Sequence, residues 1–394
     1  MILDNLKLIN YKNYRSCSLN FNPRFNFLFG DNGNGKTNIL EAISLLCFTK
    51  SFLQSSEAEC IKYGEKSFEI TGEFVNLFKT KNKVKFSYGS DTQKKEIMFN
   101  NELVLKFNSF FGTIPLVVLS PYDLKFTAGT PNDKRRNFDI LISQVSKLYF
   151  SDLKELNKII KQKNSLLRED LYYKKYSRSK LIELIESWNE KLIDLSVRII
   201  LKRINFLKEY IIYLKDSFNK IVGSSIIPHL DYKCESLNEF KVDSLNENEL
   251  KQNIQNSLLQ KIDLEISRGV SLVGPHRDNY FFYMVKNGEM FDVRSFASQG
   301  EHKTFVVALK ISEYQYLKDK LINQDNGVPI ILLDDLFSEL DSQRIEKIGS
   351  ILNDFEQVFL TTTDMRYLDI IKKYFKKEEI SSYYVINGTA KENS

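Results

Sequence analysis

Hydrophobic and polar residues alternate, or β-rich composition dominates, in four stretches near the amino terminus: "LKLINY" (6–11), "RFNFLF" (24–29), "SFEITGEFV" (67–75) and "KVKFSY" (83–88). Period two with polar breaks between the runs predicts a strand at each. "IPLVVLSP" (114–121) adds a further, buried strand. From about residue 141 the period lengthens. Leu181, Ile185, Trp188, Leu192, Leu195 and Ile199 recur in steps of four and three, and neither Gly nor Pro interrupts residues 179–222. That pattern predicts one long helix of ~60 Å. Leu141, Val145, Leu148, Leu156 and Ile160 give the preceding segment an apolar stripe suited to antiparallel pairing with it. Two readings of the helical stretch stay open, an all-helical core and a protruding arm.

After residue 267 the pattern turns back. "GVSLVGP" (269–275) and "NYFFYMV" (279–285) have strand character, "EHKTFVVALKISEYQYLKDKL" (301–321) is helical, and "VPIILLDD" (328–335) and "QVFLTTTD" (357–364) are continuous apolar runs of the kind found in buried parallel strands. The order predicts an α/β domain over 1–140 and 268–394, interrupted by an inserted helical domain over 141–267. The final "GTAKENS" (388–394) has the composition of a frayed tail.

A chain of 394 residues, 42% apolar and 27% charged, has the profile of a globular protein of two domains rather than a disordered one. The four cysteines, Cys17, Cys47, Cys60 and Cys234, form no CxxC pair, which argues against a zinc ribbon or a disulfide framework and points to a reducing, cytoplasmic setting. The expectation is a protein neither exported nor embedded, since no run approaches the roughly 18 apolar residues of a membrane helix. Net charge of +5 permits nucleic-acid binding without demanding it.

Chemistry concentrates in three places. Gly30, Asp31, Asn32, Gly33, Asn34, Gly35, Lys36 and Thr37, followed by Asn38, fit G-x-x-x-x-G-K-[ST] between a strand and a helix. Glycines let backbone N–H groups face the β- and γ-phosphates, the helix start adds its positive end, Lys36 brings a charge and Thr37 a hydroxyl for Mg²⁺. "IILLDDLFSELD" (330–341) then offers Asp334 as a metal carboxylate and Asp335 beside the attacking water. Adjacent carboxylates after a buried strand are costly unless a cation joins them. In "FASQGEHKT" (296–304), Ser298 and Glu301 form a capping box, and the Ser298 hydroxyl with the bare backbone at Gly300 also makes an anion site at a helix start. Two phosphate-facing helix starts for one nucleotide are reconciled if they come from different subunits of a head-to-tail dimer. His276-Arg277-Asp278 is either an acid/base set or a turn salt bridge between strands.

This set resembles the ATP-binding-cassette (ABC) ATPases, and "LKLINYKNY" (6–14), "SPYDLKFTAGTPNDKRRNFD" (120–139), "GPHRD" (274–278), "SQGEHKT" (298–304), "LLDDLFSELD" (332–341) and "TTTD" (361–364) resemble the RecF family in particular. The resemblance implies an α/β ABC-type ATPase head with an inserted helical arm. It implies an ATPase with ATP and Mg²⁺ as cofactors, weak and stimulated by DNA, whose hydrolysis acts as a timer. It further implies an ATP-dependent homodimer that binds single-stranded and gapped DNA and works with RecO and RecR to load RecA in recombinational repair, replication restart and the SOS response. Lys36 and Thr37 carry over as phosphate and Mg²⁺ ligands, Asp334 as the metal carboxylate, Asp335 as the base, Ser298 and Gly300 as the contact across the dimer, and Asp341 as part of the loop meeting the partner. Lys134 stands where the family has the first of two arginines, Asn137 where it has an aromatic, and Leu53 of "KSFLQSS" where many relatives have an arginine.

Candidate DNA contacts are Lys79, Lys81, Lys83 and Lys85, which share a face on a strand, and Lys134, Arg135 and Arg136. Edge-strand protection explains the first group equally well, and Lys372, Lys373, Lys376 and Lys377 form a third group or a solvated helix face. A transporter subunit is disfavoured because Thr363 and Asp364 stand where a switch histidine would be, and a long-arm chromosome protein because the heptads are too few. A nuclease would need an acidic metal module beyond "TTTD", and too little chain follows.

Overall fold

The computed structural model describes residues 1–393 apart from 77, 236–245, 323–326 and 339. The chain runs through β1 (Ile2–Tyr11), β2 (Tyr14–Asn20), β3 (Phe25–Phe29), α1 (Lys36–Phe48), β4 (Ser67–Val75), β5 (Lys81–Gly89), β6 (Lys94–Phe99), β7 (Glu102–Leu103), α2 (Phe107–Phe110) and β8 (Leu116–Leu119). Next come α3 (Lys125–Ala128), α4 (Pro131–Val145), α5 (Lys147–Tyr173), α6 (Arg178–Val222), β9 (Ile226–Lys233), α7 (Glu247–Arg268), β10 (Asn279–Lys286), β11 (Glu289–Asp292) and α8 (Val293–Phe296). The last stretch holds α9 (Gln299–Leu321), β12 (Ile330–Asp334), α10 (Ser342–Leu352), β13 (Gln357–Thr362), α11 (Arg366–Ile371), β14 (Ile380–Ile386) and β15 (Thr389–Asn393). Residues 1–124, 213–227 and 297–394 form one compact unit, and residues 125–212 and 228–296 a second.

The first unit holds two six-stranded sheets, one antiparallel in the order β2-β1-β4-β5-β6-β7, the other in the order β15-β14-β3-β13-β12-β8. In the second of these β14, β3, β13, β12 and β8 run parallel, and β15 antiparallel to β14. Every residue of β3, β12 and β13 is buried, which is why β12 is a continuous apolar run and why the polar residues of the other two, such as Asn26 and Gln357, are hydrogen-bonded. Helix α1 is buried from Ile39 to Cys47 and touches β4 and β5 of one sheet and β12 and β13 of the other. It therefore lacks a polar stripe. One buried polar side chain laces the sheets together: Gln357 of β13 accepts from the Leu3 N–H and donates to the Leu3 carbonyl, both at 2.8 Å. The segment expected to fray is instead β15, with Ala390 opposite Val385 of β14.

The second unit is not purely helical. It combines helices with a three-stranded sheet, β11-β10-β9. Leu167 of α5, Leu181 and Ile185 of α6, and Ile262 and Ile266 of α7 share one apolar cluster, so α5 and α6 pack as their stripes predict. Helix α6 is 45 residues long and unbroken. The unit boundaries differ from the sequence division: residues 125–140 and 268–296 lie here, and residues 213–227, expected in the helical insertion, lie in the first unit. Aromatic packing explains the shift, since Phe138 meets Phe206 and Tyr210 of α6 edge-on, each at 5.5 Å between ring centroids, and Phe126, Tyr280 and Phe282 pack on Phe138 in turn. Residues 269–275 form a loop where a strand was expected. Its backbone is bonded by side chains, the Leu272 N–H by Glu265 Oε1 at 2.6 Å and the Ser271 N–H by Asn164 Oδ1 at 2.6 Å.

Candidate nucleotide-binding active site

The phosphate loop leaves the end of β3 at Gly30 and enters α1 at Lys36. Gly30 has φ 144°, and a Cβ there would lie 2.3 Å from the Val385 carbonyl oxygen, so no larger residue fits. Gly35, at φ 106°, is the N-cap of α1 and provides no side-chain cap, which leaves the first N–H groups of the helix available to an anion. The loop is propped from the β1–β2 turn. Asn13 Nδ2 donates to the Asn34 carbonyl at 2.8 Å, Tyr14 Oη to the Gly35 carbonyl at 3.0 Å, and Asn38 Nδ2 to Asn13 Oδ1 at 2.9 Å. Asn13 and Tyr14 were not singled out by residue chemistry, although both lie in the "NYKNY" stretch that carries the family resemblance.

Lys36 folds back over the loop, donating from Nζ to the carbonyls of Gly30 at 2.7 Å and Asp31 at 2.9 Å. Burial pulls its pKa down, against the opposing pull of Asp334, Asp335 and Asp31. Thr37 Oγ1 donates to the Asp334 carboxylate at 2.9 Å, and Thr361 Oγ1 of β13 donates to the same Asp334 Oδ1 at 2.5 Å. Burial holds the Asp334 carboxyl above its ordinary range despite these bonds and the nearby lysine. A hydroxyl and a carboxylate converging at a helix start are hard oxygen donors of the kind Mg²⁺ takes, and a buried carboxylate gains most from such an ion. The donor set thus fits a magnesium nucleotide. Asp335 takes the left-handed conformation at φ 51°, and its N–H donates to the carbonyl and hydroxyl of Thr361, both at 3.2 Å.

Ser298 caps α9: its hydroxyl accepts from the Glu301 N–H and donates to Glu301 Oε2, completing the expected capping box. Ser298 is exposed and Gly300 half-buried. Asp341 caps α10 by accepting from the Arg344 N–H at 2.9 Å. Among the described residues no hydrogen bond joins Ser298, Gly300 or Asp341 to the phosphate loop. Glu339 of "SELD" lies outside the described residues. Deeper in α9, Lys310 Nζ sits 3.1 Å from Glu313 and 3.5 Å from Asp123, a buried ion cluster that the apolar pattern of the helix concealed.

Of the basic candidates, Lys79, Lys81, Lys83 and Arg136 are exposed, whereas Lys85, Lys134 and Arg135 are engaged within the fold. Strand β5 pairs with β4 along its whole length but with β6 only from Val84 to Gly89, so edge protection does not explain Lys85, while Lys81 and Lys83 precede the β6 pairing. Lys81 lies 3.9 Å from Asp4, Lys85 2.7 Å from Glu69, and Lys83 stands opposite Glu73, while Lys79 sits in the preceding turn with φ 61° instead of on the strand. Lys134 is only 5% exposed and donates to the Tyr280 carbonyl at 3.0 Å, and Arg135 donates to the Asp278 carbonyl, so only Arg136 of that trio is exposed. Lys134 and Arg135 are thus inward-facing residues of the second unit, not a phosphate-tracking pair. The Arg277–Asp278 turn bridge gives way to a buried one. Asp278 pairs with Arg203 of α6 at 3.1 Å, Arg203 also takes both Asp139 oxygens at 2.9 and 3.0 Å, and Arg277 donates to the Ser271 carbonyl at 2.6 Å. These carboxylates neutralise a cation that is 1% exposed, which is a packing role.

A phosphate loop on a helix between two sheets, with a buried strand delivering two carboxylates to it, defines the head of an ABC-type ATPase. Comparison with known proteins narrows this further. Residues 25–365 match the family described as "AAA domain, putative AbiEii toxin, Type IV TA system". The DNA replication and repair protein RecF of Chloroherpeton thalassium is 35% identical over 95% of this chain and 98% of its own. RecF of Alkaliphilus oremlandii is 35% identical over 98% of this chain and 99% of its own. The chain belongs to the RecF family and is an ATPase. Solved structures of the recombination mediator protein RecF-ATPrS and RecF-ATP superpose with a TM-score of 0.83 at 28% and 27% identity, covering 98% and 99% of those chains and 100% and 99% of this one. An Smc head domain from Pyrococcus furiosus, at TM-score 0.57 and 15% identity over 100% of this chain and 96% of its own, shares the fold.

Proposed function

We propose that this chain is an ATP-gated clamp on DNA near single-strand gaps, closing as a head-to-tail homodimer around two nucleotides and reopening after hydrolysis. The contact between Thr37 and Asp334 supports the nucleotide half of this reading, because it joins the phosphate loop to the metal strand in one chain, and relatives named as DNA replication and repair proteins support the DNA half. When bound, Mg²⁺ would neutralise charge on the β- and γ-phosphate oxygens. Lys36 would exchange its two loop carbonyls for phosphate oxygens, Thr37 and Asp334 would hold the metal, and Asp335 would accept a proton from the attacking water. Ser298 and Gly300, at the start of a 23-residue helix and outside the loop's hydrogen bonds, would meet the partner's γ-phosphate, with Asp341 near the same interface.

On this reading the clamp acts with RecO and RecR to load RecA on gapped DNA, and supports the SOS response. Steady-state ATP hydrolysis by the purified protein, with and without gapped duplex DNA at two salt concentrations, tests the reading. Stimulation that fades as salt rises is the expected outcome, because phosphate contacts release counterions. Turnover indifferent to DNA overturns the clamp.

A further inference from the structure

One basic side chain in α9 touches the nucleotide machinery from behind. Lys303 Nζ donates to the Ser338 carbonyl, to Ser338 Oγ at 2.6 Å and to the Asp335 carbonyl at 3.4 Å. Ser338 Oγ in turn donates to the Asp335 carbonyl at 3.1 Å, closing a triangle. Asp335 is the residue that most needs such support. Its φ of 51° is a left-handed conformation that costs a residue with a side chain about 1 kcal/mol and persists only where its surroundings hold it. The Asp335 N–H is tied to Thr361 of β13 and its carbonyl to Lys303 and Ser338, so the backbone is pinned on both sides. Lys303 lies five positions after Ser298, and from Thr304 to Tyr314 every residue of α9 is buried, so the helix is a fixed post rather than a mobile one.

We propose that Lys303 is a positioning residue for ATP hydrolysis: it clamps the backbone of Asp335 and so aims that carboxylate at the water. The clamp also joins the helix start offered to the partner's nucleotide to the carboxylate serving the chain's own. This inference rests on the reading of Asp335 as the group that orients the water.

The test uses the full chain and four variants, Lys303→Met, Lys303→Arg, Asp335→Asn and the Lys303→Met/Asp335→Asn double. Lys303→Met is expected to slow single-turnover hydrolysis by roughly tenfold to a hundredfold, with ATP affinity within about twofold of wild type. Lys303→Arg, which keeps the cation, recovers most of the rate. In the nucleotide-free protein, amide exchange at Leu336, Phe337 and Ser338 quickens in Lys303→Met while β12 and β13 keep their protection. If Lys303 acts through Asp335, the double variant is no slower than Asp335→Asn alone. Multiplied defects in the double variant, or unchanged exchange in Lys303→Met, overturn the proposal. A slowed Asp335→Asn beside an unaffected Lys303→Met overturns the clamp alone, whereas a wild-type rate for Asp335→Asn overturns the role of Asp335 and the catalytic half of this proposal with it.

Discussion

Thr37 and Asp334 stand 297 positions apart in the chain, and the hydroxyl of the first donates to the carboxylate of the second at 2.9 Å. The parallel pairing of β12 with β13 and of β13 with β3 brings the end of the metal strand level with the loop that leaves β3. Burial of the carboxylate leaves it under-stabilised until a cation arrives, so the same feature that weakens the free protein favours metal binding.

Asp334→Asn separates those effects. The amide still accepts from Thr37 and Thr361 but carries no charge, so the nucleotide-free protein should gain stability, on the order of 1 kcal/mol. Mg²⁺-dependent nucleotide binding should be lost. Chemical denaturation and nucleotide titration with and without Mg²⁺ check both halves, and a destabilised variant would mean that the charge itself is needed in the free state.

Lys36→Ala should abolish ATP-dependent dimerisation, measured by sedimentation with and without nucleotide. Removing the Nζ also frees the Gly30 and Asp31 carbonyls. A variant that dimerises normally with ATP removes Lys36 from the mechanism.

Ser298→Arg should leave nucleotide binding by the monomer intact and block the dimer. The lost cap will weaken the first turn of α9 by about 1 kcal/mol, so Ser298→Ala, which loses the same cap without added bulk or charge, serves as the control for helix fraying. Loss of monomer binding would contradict a role across the interface.

Asp335→Asn should keep the ATP-bound dimer and slow hydrolysis by on the order of a hundredfold, the contribution of a positioned general base. Dimer lifetime by sedimentation and single-turnover rate are the readouts. An unchanged rate would assign the water to another group.

Acid should destabilise the second unit through His276. Burial lowers its pKa from the ordinary 6.5 to about 4, opposed by the Ser271 carbonyl at 3.2 Å from Nε2 and reinforced by Arg277, Arg135 and Lys163. Because the folded form stays neutral while the unfolded chain takes up a proton, this contribution to stability is complete above pH 6.5 and falls as the pH drops toward 4, by up to about 3 kcal/mol. Denaturation midpoints across that range should show a steeper loss in the wild type than in His276→Gln. Equal slopes would place the titration elsewhere.

The nucleotide loop, the metal strand and the capping box of α9 were legible in the sequence because each is a local pattern. A phosphate loop needs its glycines and lysine at fixed spacing, a buried parallel strand needs an unbroken apolar run, and a cap needs Ser298 and Glu301 three apart. The 45-residue α6 was equally legible, since a period between three and four without Gly or Pro leaves the backbone little alternative.

Charged residues were misread for the opposite reason. Lys134, Arg135 and Asp139 form a basic stretch with an acid at its end, and nothing local tells whether such charges face solvent or a partner far along the chain. Their partners, the Tyr280 and Asp278 carbonyls and Arg203, lie 146, 143 and 64 positions away. The lysines of β5 had acidic neighbours supplied by β1 and β4, and the turn at 269–275 drew its hydrogen bonds from side chains of α5 and α7.

By itself, then, the sequence determined which segments bend, coil and extend, and which backbone can cradle a phosphate, because those properties depend on residues a few positions apart. Only the tertiary structure decided that Thr37 meets Asp334, that Asn13 and Tyr14 prop the loop, that Lys303 holds Asp335, and that residues 125–140 and 268–296 pack with the helices. Those outcomes depend on which charges can be buried together at an affordable desolvation cost, and that is settled by the packing of elements hundreds of residues apart.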